Sequence, residues 1–226
     1  MRLLQAAFLV SLALSVPGTA CGQLSSLPVS IYTKEAAGLK DIVVSGSFGI
    51  ANHDTKAFAG SMIFSPGRIS IQMGGGGLFS RRQDGYTIGA SLGAGIVPPR
   101  GSKLKAPAVV FQPGIGYTNQ GRNSTVLDIP LALGVFWSLP ILKVNFDPWA
   151  ALQVHIRTAE DTIAGSATDV GFGMSSGINL TSSKGFGVCV AGELLNIENP
   201  LTRKKDNEFS FAFGLRWRFT FLRTYL

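Results

Sequence analysis

The sequence predicts an all-β fold, an antiparallel up-and-down transmembrane β-barrel of about ten strands, with eight strands as the alternative. First, from Asp41 onward, segments of about 10 to 15 residues alternate between an apolar face and a face of Gly, Ser and Ala. Second, short connections alternate with longer ones. Third, charged residues make up only 15% of the chain and the mean hydropathy is +0.28, yet no run reaches the roughly 18 apolar residues of a spanning helix.

The N-terminal segment, residues 1–22, is predicted to be a secretory signal peptide and not part of the fold. Arg2 precedes an apolar run at 3–16, and small residues suited to cleavage follow that run. Lipidation of Cys21 is left open, although Gly18 stands where a lipidated cysteine normally has an aliphatic residue. Two cysteines in the whole chain make no disulfide framework.

Residues 23–40 show no clear period and are interpreted as a lead-in segment, so that the barrel domain spans 41–226. Ten strands are predicted within this domain from their alternation. In chain order they are 41–51, 57–65, 68–80, 85–97, 107–118, 124–138, 141–156, 168–180, 185–197 and 208–222.

The apolar face can be followed from strand to strand. It carries Ile42, Val44, Phe48 and Ile50 in the first strand, Tyr86, Ile88, Leu92 and Ile96 in the fourth, and Leu127, Ile129, Leu131 and Leu133 in the sixth. It continues with Leu142, Val144, Leu152 and Ile156 in the seventh and with Val170, Phe172, Met174 and Leu180 in the eighth. The opposite face holds most of the glycines, whose small size lets a narrow barrel close without overfilling its interior.

The final strand has the strongest alternation. Its outward positions are Phe209, Phe211, Phe213, Leu215, Trp217, Phe219 and Phe221. Its other face is small and carries Arg216 and Arg218. A core of a soluble protein would usually mix smaller β-branched residues into such a face, so the aromatic ribbon is predicted to face lipid and the arginines to face the lumen.

The connections alternate in length along the chain. Short, turn-like segments are predicted at 65–67, 138–140 and 181–185. Longer or more charged segments are predicted at 51–56, 80–84, 118–124, 157–166 and 198–208. Only 97–107 departs from this alternation. Short turns at one end and longer loops at the other are typical of membrane barrels.

This whole-chain pattern, over residues 41–222, resembles the small outer-membrane β-barrel superfamily of Gram-negative bacteria, which are single-chain barrels of eight or ten strands. The resemblance implies an outer-membrane location with both termini and the lead-in segment in the periplasm. It also implies that the barrel-assembly machinery recognises the aromatic last strand. The chain departs from the family pattern by ending at Tyr225 and Leu226 instead of a terminal Phe.

Outer-membrane lipid and lipopolysaccharide are the other expected partners, and no nucleic-acid partner is expected. A net charge of +7 is compatible with contact with anionic headgroups. The basic residues expected to meet lipopolysaccharide phosphates from the outer loops are Arg81, Arg82, Arg203, Lys204 and Lys205.

Inward-facing ionisable residues are predicted to form a charge network in the lumen. The members of this network are Asp128, Lys143, Asp147, Asp169, Glu193, Arg216 and Arg218, and His155 also faces inward. Unpaired charges in a narrow barrel are costly, so the network is expected to plug the lumen, with Glu193 near one of the two arginines. The sequence therefore predicts a structural or surface-interaction role, and a narrow pore for small solutes is the alternative.

No catalytic, cofactor-binding or metal-binding residues are predicted, and the protein is not expected to be an enzyme. The chain shows no metal-ligand spacing, no phosphate-binding loop and no G-x-S-x-G motif. An outer-membrane protease would need its histidines and aspartates to converge, but no spacing motif links His53 to His155. A soluble secreted lipid-binding barrel is also disfavoured, because its water-facing side would then carry few charges.

Overall fold

The computed structural model of the chain describes residues 41–51, 55–66, 69–80, 84–97, 107–120, 124–162, 165–198 and 205–220. The predicted signal peptide, the lead-in segment and Phe221 lie outside these ranges. Within them, no helix is long and apolar enough to cross a membrane.

The described residues form eleven strands. They are β1 (Asp41–Ala51), β2 (Thr55–Ser65), β3 (Ile69–Phe79), β4 (Gly85–Val97), β5 (Ala108–Asn119), β6 (Ser124–Phe136), β7 (Leu139–Ile141), β8 (Val144–Asp161), β9 (Gly165–Ser182), β10 (Phe186–Glu198) and β11 (Lys205–Thr220).

These strands close into an antiparallel barrel of ten strands, and β7 lies outside the closed ring. Chain neighbours pair from β1 to β6 and from β7 to β11. The ring is completed where β6 pairs with β8 and where β1 pairs with β11, from Asp41↔Thr220 to Ile50↔Phe211. The predicted fold class and the predicted closure of the first strand against the last are confirmed. We call the end with Asp41 and Thr220 the terminal end and the opposite end the far end.

The short strand β7 continues β6 along β8 in the same register. The chain then reverses at Leu142 and Lys143, where Leu142 has a φ of 56° and a fully exposed side chain. The prediction of a turn at 138–140 is wrong, because Pro140 lies within β7. Among the described strands β7 pairs only with β8, so the missing N–H of Pro140 removes no bond from a second ladder.

The segment predicted as a far-end loop at 157–166 is largely strand, and the described residues of the segment at 198–208 belong to strands as well. The structure extends β8 to Asp161, starts β9 at Gly165 and starts β11 at Lys205. The outward side chains on these extensions are polar: Thr158 Oγ1 and Thr168 Oγ1 lie 2.9 Å apart. The strands keep pairing there after the apolar face has ended, so this wall of the barrel extends beyond the apolar zone.

The apolar zone is a belt of exposed Leu, Ile, Val, Phe and Met side chains on the outside of the barrel, as the alternation predicted. Leu152 and Phe172, near the middle of β8 and β9, are 66% and 67% exposed. Near the terminal end, the Trp217 ring stacks on Phe219 with centroids 5.8 Å apart and meets Phe186 edge-on at 6.3 Å. Such a predominantly apolar exterior suits hydrocarbon and not water.

The interior is asymmetric. On the wall from β2 to β5 most inward positions are small, and one row runs from Ser61 to Gly74, Gly89 and Gly116. The wall from β8 to β11 contributes the large buried side chains, which include Trp149, Gln153, His155, Arg157, Glu193, Leu195 and Arg216. The small wall therefore leaves the space that the large side chains of the other wall occupy.

Candidate functional site: a buried charge cluster in the lumen

The most concentrated group of ionisable side chains lies inside the barrel toward the far end. We call it the lumen cluster, and its members are Asp128 on β6, Gln153, His155 and Arg157 on β8, Glu193 on β10 and Glu208 on β11. Each occupies an inward position of its strand, because residues two apart on a strand point to the same face. Alternation alone therefore places these side chains in the lumen, and strand pairing brings them together.

His155 is held between two oxygen-bearing side chains. Its Nδ1 lies 3.0 Å and 3.2 Å from the two carboxylate oxygens of Asp128, and its Nε2 lies 2.7 Å from Gln153 Oε1. Gln153 Nε2 in turn donates to Ser175 Oγ at 2.6 Å, which orients the amide. Both Asp128 and His155 are 0% exposed.

Arg157 connects the cluster to β11. Its Nη1 donates to both carboxylate oxygens of Glu208, at 3.2 Å and 3.1 Å, and its Nη2 lies 3.6 Å from Asp128 Oδ2. Asp169 pairs with Arg157 in the backbone register of β8 and β9. The Arg157 guanidinium thus contacts carboxylates from two strands, and its planar arrangement of N–H donors suits this role.

Glu193 is the least satisfied member. Its side chain is 4% exposed, and Oε1 lies 3.7 Å from His155 Nε2, too far for a hydrogen bond. Among the described residues, neither carboxylate oxygen of Glu193 has a hydrogen-bond partner, and neither does Oγ of Ser210, its backbone neighbour on β11.

Apolar and polar side chains border the cluster on either side. Toward the far end, Leu195 and Ile197 are buried and lie against Gly173 and Gly171, where an added Cβ would be 3.3 Å from Leu195 and 2.7 Å from Ile197. Further toward the terminal end, Gln112 donates to Gln72 Oε1 at 3.2 Å and to Ser91 Oγ at 2.7 Å. Side chains in the lumen therefore contact one another across several strands.

A second group of charges lies at the terminal end. Arg218 Nε is 3.8 Å from Asp41 Oδ2 across the pairing of β1 with β11, and Arg216 is buried nearby on the same strand. Asp147 accepts a hydrogen bond from Ser138 Oγ. The inward charges thus form two separate groups, where the sequence predicted a single network.

The structure places the predicted network residues in three environments. Asp128, Asp147, Glu193 and Arg216 are buried in the lumen, and Asp169 and Arg218 are half-buried. Lys143 lies at the exposed turn between β7 and β8 and takes no part in the lumen.

The predicted proximity of Glu193 to Arg216 or Arg218 is not observed. Glu193 pairs with Ser210, whereas Arg216 pairs with Gly187, six residues earlier on β10. The ionisable side chain nearest to Glu193 in the cluster is instead His155 of β8, at 3.7 Å. Arg157 was missed because its segment was predicted as a loop, although the inward parity of His155 and Gln153 extends to it. Glu208, at the boundary between a predicted loop and the predicted last strand, was not assigned to the network.

The chemistry available to the cluster is charge and proton binding. Among the described residues, the contacts of the His155 ring nitrogens are with Asp128, Gln153 and Glu193, and none is with a hydroxyl or a thiol. Nor do the described residues include a group of three or more His, Cys, Asp and Glu side chains arranged to hold a metal ion.

Comparison with solved structures finds β-barrels. The chain is similar to the N-terminal β-barrel domain of Pseudomonas aeruginosa OprF, with 7% identity and a TM-score of 0.38 over 80% of this chain and 99% of that one. It is similar to the β domain of the Bordetella autotransporter BrkA, with 12% identity and a TM-score of 0.44 over 81% and 100%. It is also similar to the outer membrane enzyme PagL, with 12% identity and a TM-score of 0.39 over 79% and 99%.

No family model matches the chain, and comparison with curated proteins finds no match.

Proposed function

We propose that this protein is an integral outer-membrane β-barrel with a closed lumen, and that its role is structural or lies in interactions at the cell surface. The belt of apolar side chains supports the membrane assignment, because it surrounds the barrel while charged groups of the described strands lie in the interior and at the ends. The closed ring also leaves no long unpaired strand edge in the membrane.

One observation supports the closed lumen: several of its polar side chains are inaccessible to solvent. Thr87, Thr118, Asp128 and His155 are each 0% exposed, and Gln112 is 3% exposed. In a barrel with a water-filled channel, inward polar side chains would be wet. Ten strands also enclose a small lumen, whereas wide aqueous channels come with about 16 strands or more.

Membrane fractionation tests the location. We expect the protein to sediment with outer membranes, to require detergent for extraction, and to change its gel mobility when boiled. A protein recovered in the soluble fraction without detergent would contradict the proposal and favour a soluble barrel.

Planar-bilayer recording tests the closed lumen. The unmodified barrel should conduct little, whereas removal of two large interior side chains in Phe136→Ala/Trp149→Ala should raise the conductance. The matched control is Leu152→Ala/Phe172→Ala, which removes similar volume from the outer face and should leave the conductance low. Large, stable channels from the unmodified protein would support the narrow-pore alternative instead.

The orientation follows from the proposal and has its own test. With the terminal end in the periplasm, the far-end extensions of β8 and β9 project toward the cell exterior, where lipopolysaccharide contacts are proposed. A cysteine introduced at Glu160 should react with a membrane-impermeant reagent on intact cells, whereas one at Ser183, in the turn before β10, should not. The reverse pattern would invert the orientation.

A further inference from the structure

His155 faces an acceptor oxygen at each ring nitrogen, with the Gln153 amide oriented as it is in the structure. Its Nδ1 faces the carboxylate of Asp128, and its Nε2 faces Gln153 Oε1 at 2.7 Å. In this orientation the NH₂ group of Gln153 donates to Ser175 Oγ. A neutral imidazole donates from only one of its nitrogens. With the amide so placed, both ring nitrogens of His155 act as donors.

Glu193 supplies a second, independent observation at the same place. Its carboxylate is buried, without a hydrogen-bond partner among the described residues, and its Oε1 lies 3.7 Å from His155 Nε2. A buried carboxylate without a partner is costly, and a cation beside it offsets that cost. An imidazolium at His155 would be this cation, with Asp128 on one side of the ring and Glu193 on the other.

The surrounding charges favour an additional positive charge. The cluster presents the carboxylates of Asp128 from β6, Glu193 from β10 and Glu208 from β11, with Asp169 on β9 at the backbone position opposite Arg157. Arg157 from β8 contacts Asp128 and Glu208, whereas Glu193 lies beside His155. A proton on His155 would place a second cation among these carboxylates, between Asp128 and Glu193.

We propose that Asp128, Gln153, His155 and Glu193 form a buried proton-binding site, and that the bound proton helps to hold the lumen closed. Proton release removes the cation between Asp128 and Glu193, so repulsion between the remaining carboxylates loosens the packing of β6, β8 and β10 around it. The site thereby makes closure depend on pH. The effect of the proton on closure rests on the proposed closed lumen, whereas the protonation of His155 does not.

The protonation state can be observed directly because the chain has two histidines. A His53→Gln variant leaves His155 as the only histidine, and ¹⁵N-histidine labelling of the folded barrel then reports both ring nitrogens. We expect two protonated nitrogens at neutral pH, the signature of an imidazolium. A neutral tautomer, with one protonated nitrogen, would overturn the proposal. This test needs no change within the cluster, so it does not depend on a variant that fails to fold.

Glu193→Gln in the same background tests the contribution of the carboxylate. We expect the imidazolium signal to weaken at neutral pH, whereas Glu160→Gln, which removes an exposed carboxylate from the same strand as His155, should leave it unchanged. An identical loss in both variants would indicate a general charge effect and would count against a specific site.

Conductance of the unmodified barrel between neutral and alkaline pH tests the consequence. We expect low conductance at neutral pH and at least a several-fold increase when the imidazolium signal is lost. High conductance at every pH would refute the closed lumen. It would not affect the protonation of His155, which the NMR measurement tests separately. Low conductance throughout, despite loss of the imidazolium signal, would refute the link between the proton and closure.

Discussion

The indole of Trp149 on β8 lies where the side chain of its β9 partner would otherwise stand, and that partner is Gly177. The two residues pair directly in the register, and a Cβ added to Gly177 would be 2.6 Å from Cζ2 of Trp149 and 2.5 Å from the backbone oxygen of Val190. The glycine thus makes room for the largest side chain of the terminal half of the lumen, which packs with Phe136 and Ala191.

Gly177→Ala should destabilise the barrel. Neither the Val190 carbonyl nor the rigid indole can move away easily, and overpacking of this kind costs about 1–3 kcal/mol. The measurement is urea unfolding of the barrel in lipid vesicles, followed by gel mobility. Gly46→Ala is the matched control, because a Cβ at this outward glycine meets no atom within 4 Å. Replacing Trp149 by Leu in the Gly177→Ala background should recover part of the loss. Equal stability of the two alanine variants would contradict the packing described here.

A charge at the centre of the belt should be far more damaging than a change of apolar shape. Leu152 is exposed on the middle of β8, opposite Leu133 and Met174 on the neighbouring strands. Leu152→Arg is expected to cost roughly 2–4 kcal/mol in vesicles, while Leu152→Phe should change the stability little. The same unfolding assay distinguishes them. If the two variants were equally stable, the outer face would not be in hydrocarbon.

Removing the guanidinium of Arg157 should destabilise the barrel strongly. Arg157→Met retains much of the side-chain volume but leaves Asp128 and Glu208 without this cation, and loss of one partner from a buried pair costs about 3–5 kcal/mol. Thr158→Ala, at the next and outward-facing position, serves as the control. A further change of Glu208 to Gln should offset part of the loss; a double variant less stable than Arg157→Met would argue against charge as the cause.

The ion pair at the terminal end should matter much less. Arg218 and Asp41 are separated by 3.8 Å, and the Arg218 side chain is partly accessible to water. This separation is too long for a hydrogen bond, so the contact is weaker than the bidentate pair of Arg157 with Glu208. Arg218→Gln is therefore expected to shift the urea midpoint less than Arg157→Met does. A loss as large as that of Arg157→Met would contradict this ranking of the two pairs.

The barrel class was predictable because alternation within each strand distinguishes the lipid-facing side chains from those that face the lumen. Alternation along 124–138 assigned Leu131 outward and Asp128 inward without any knowledge of a neighbouring strand. The far-end strand boundaries were not predictable in this way. Charge at Arg157 suggested a loop, but this side chain enters the lumen, so charge there does not mark the end of a strand.

Which side chains contact one another within the lumen could not be predicted from the sequence, for a different reason. Inward parity places Glu193 and Arg216 on the same face, yet a shift of a few residues in register decides whether they meet, and nothing within either strand specifies that shift. The turn at Leu142 could not be predicted either, because a leucine in the sequence does not indicate a residue with positive φ.

The pairing of β1 with β11 has a consequence for the time course of folding. Every other pairing in the ring joins strands that are close in the chain, whereas the pairing of Asp41 with Thr220 joins the two ends of the described barrel. Contacts between distant parts of a chain form slowly, because the loop entropy must be lost before the contact contributes any stability. Closure of the ring is thus the late event of assembly, and until it occurs the free edges of β1 and β11 remain competent to pair with another chain.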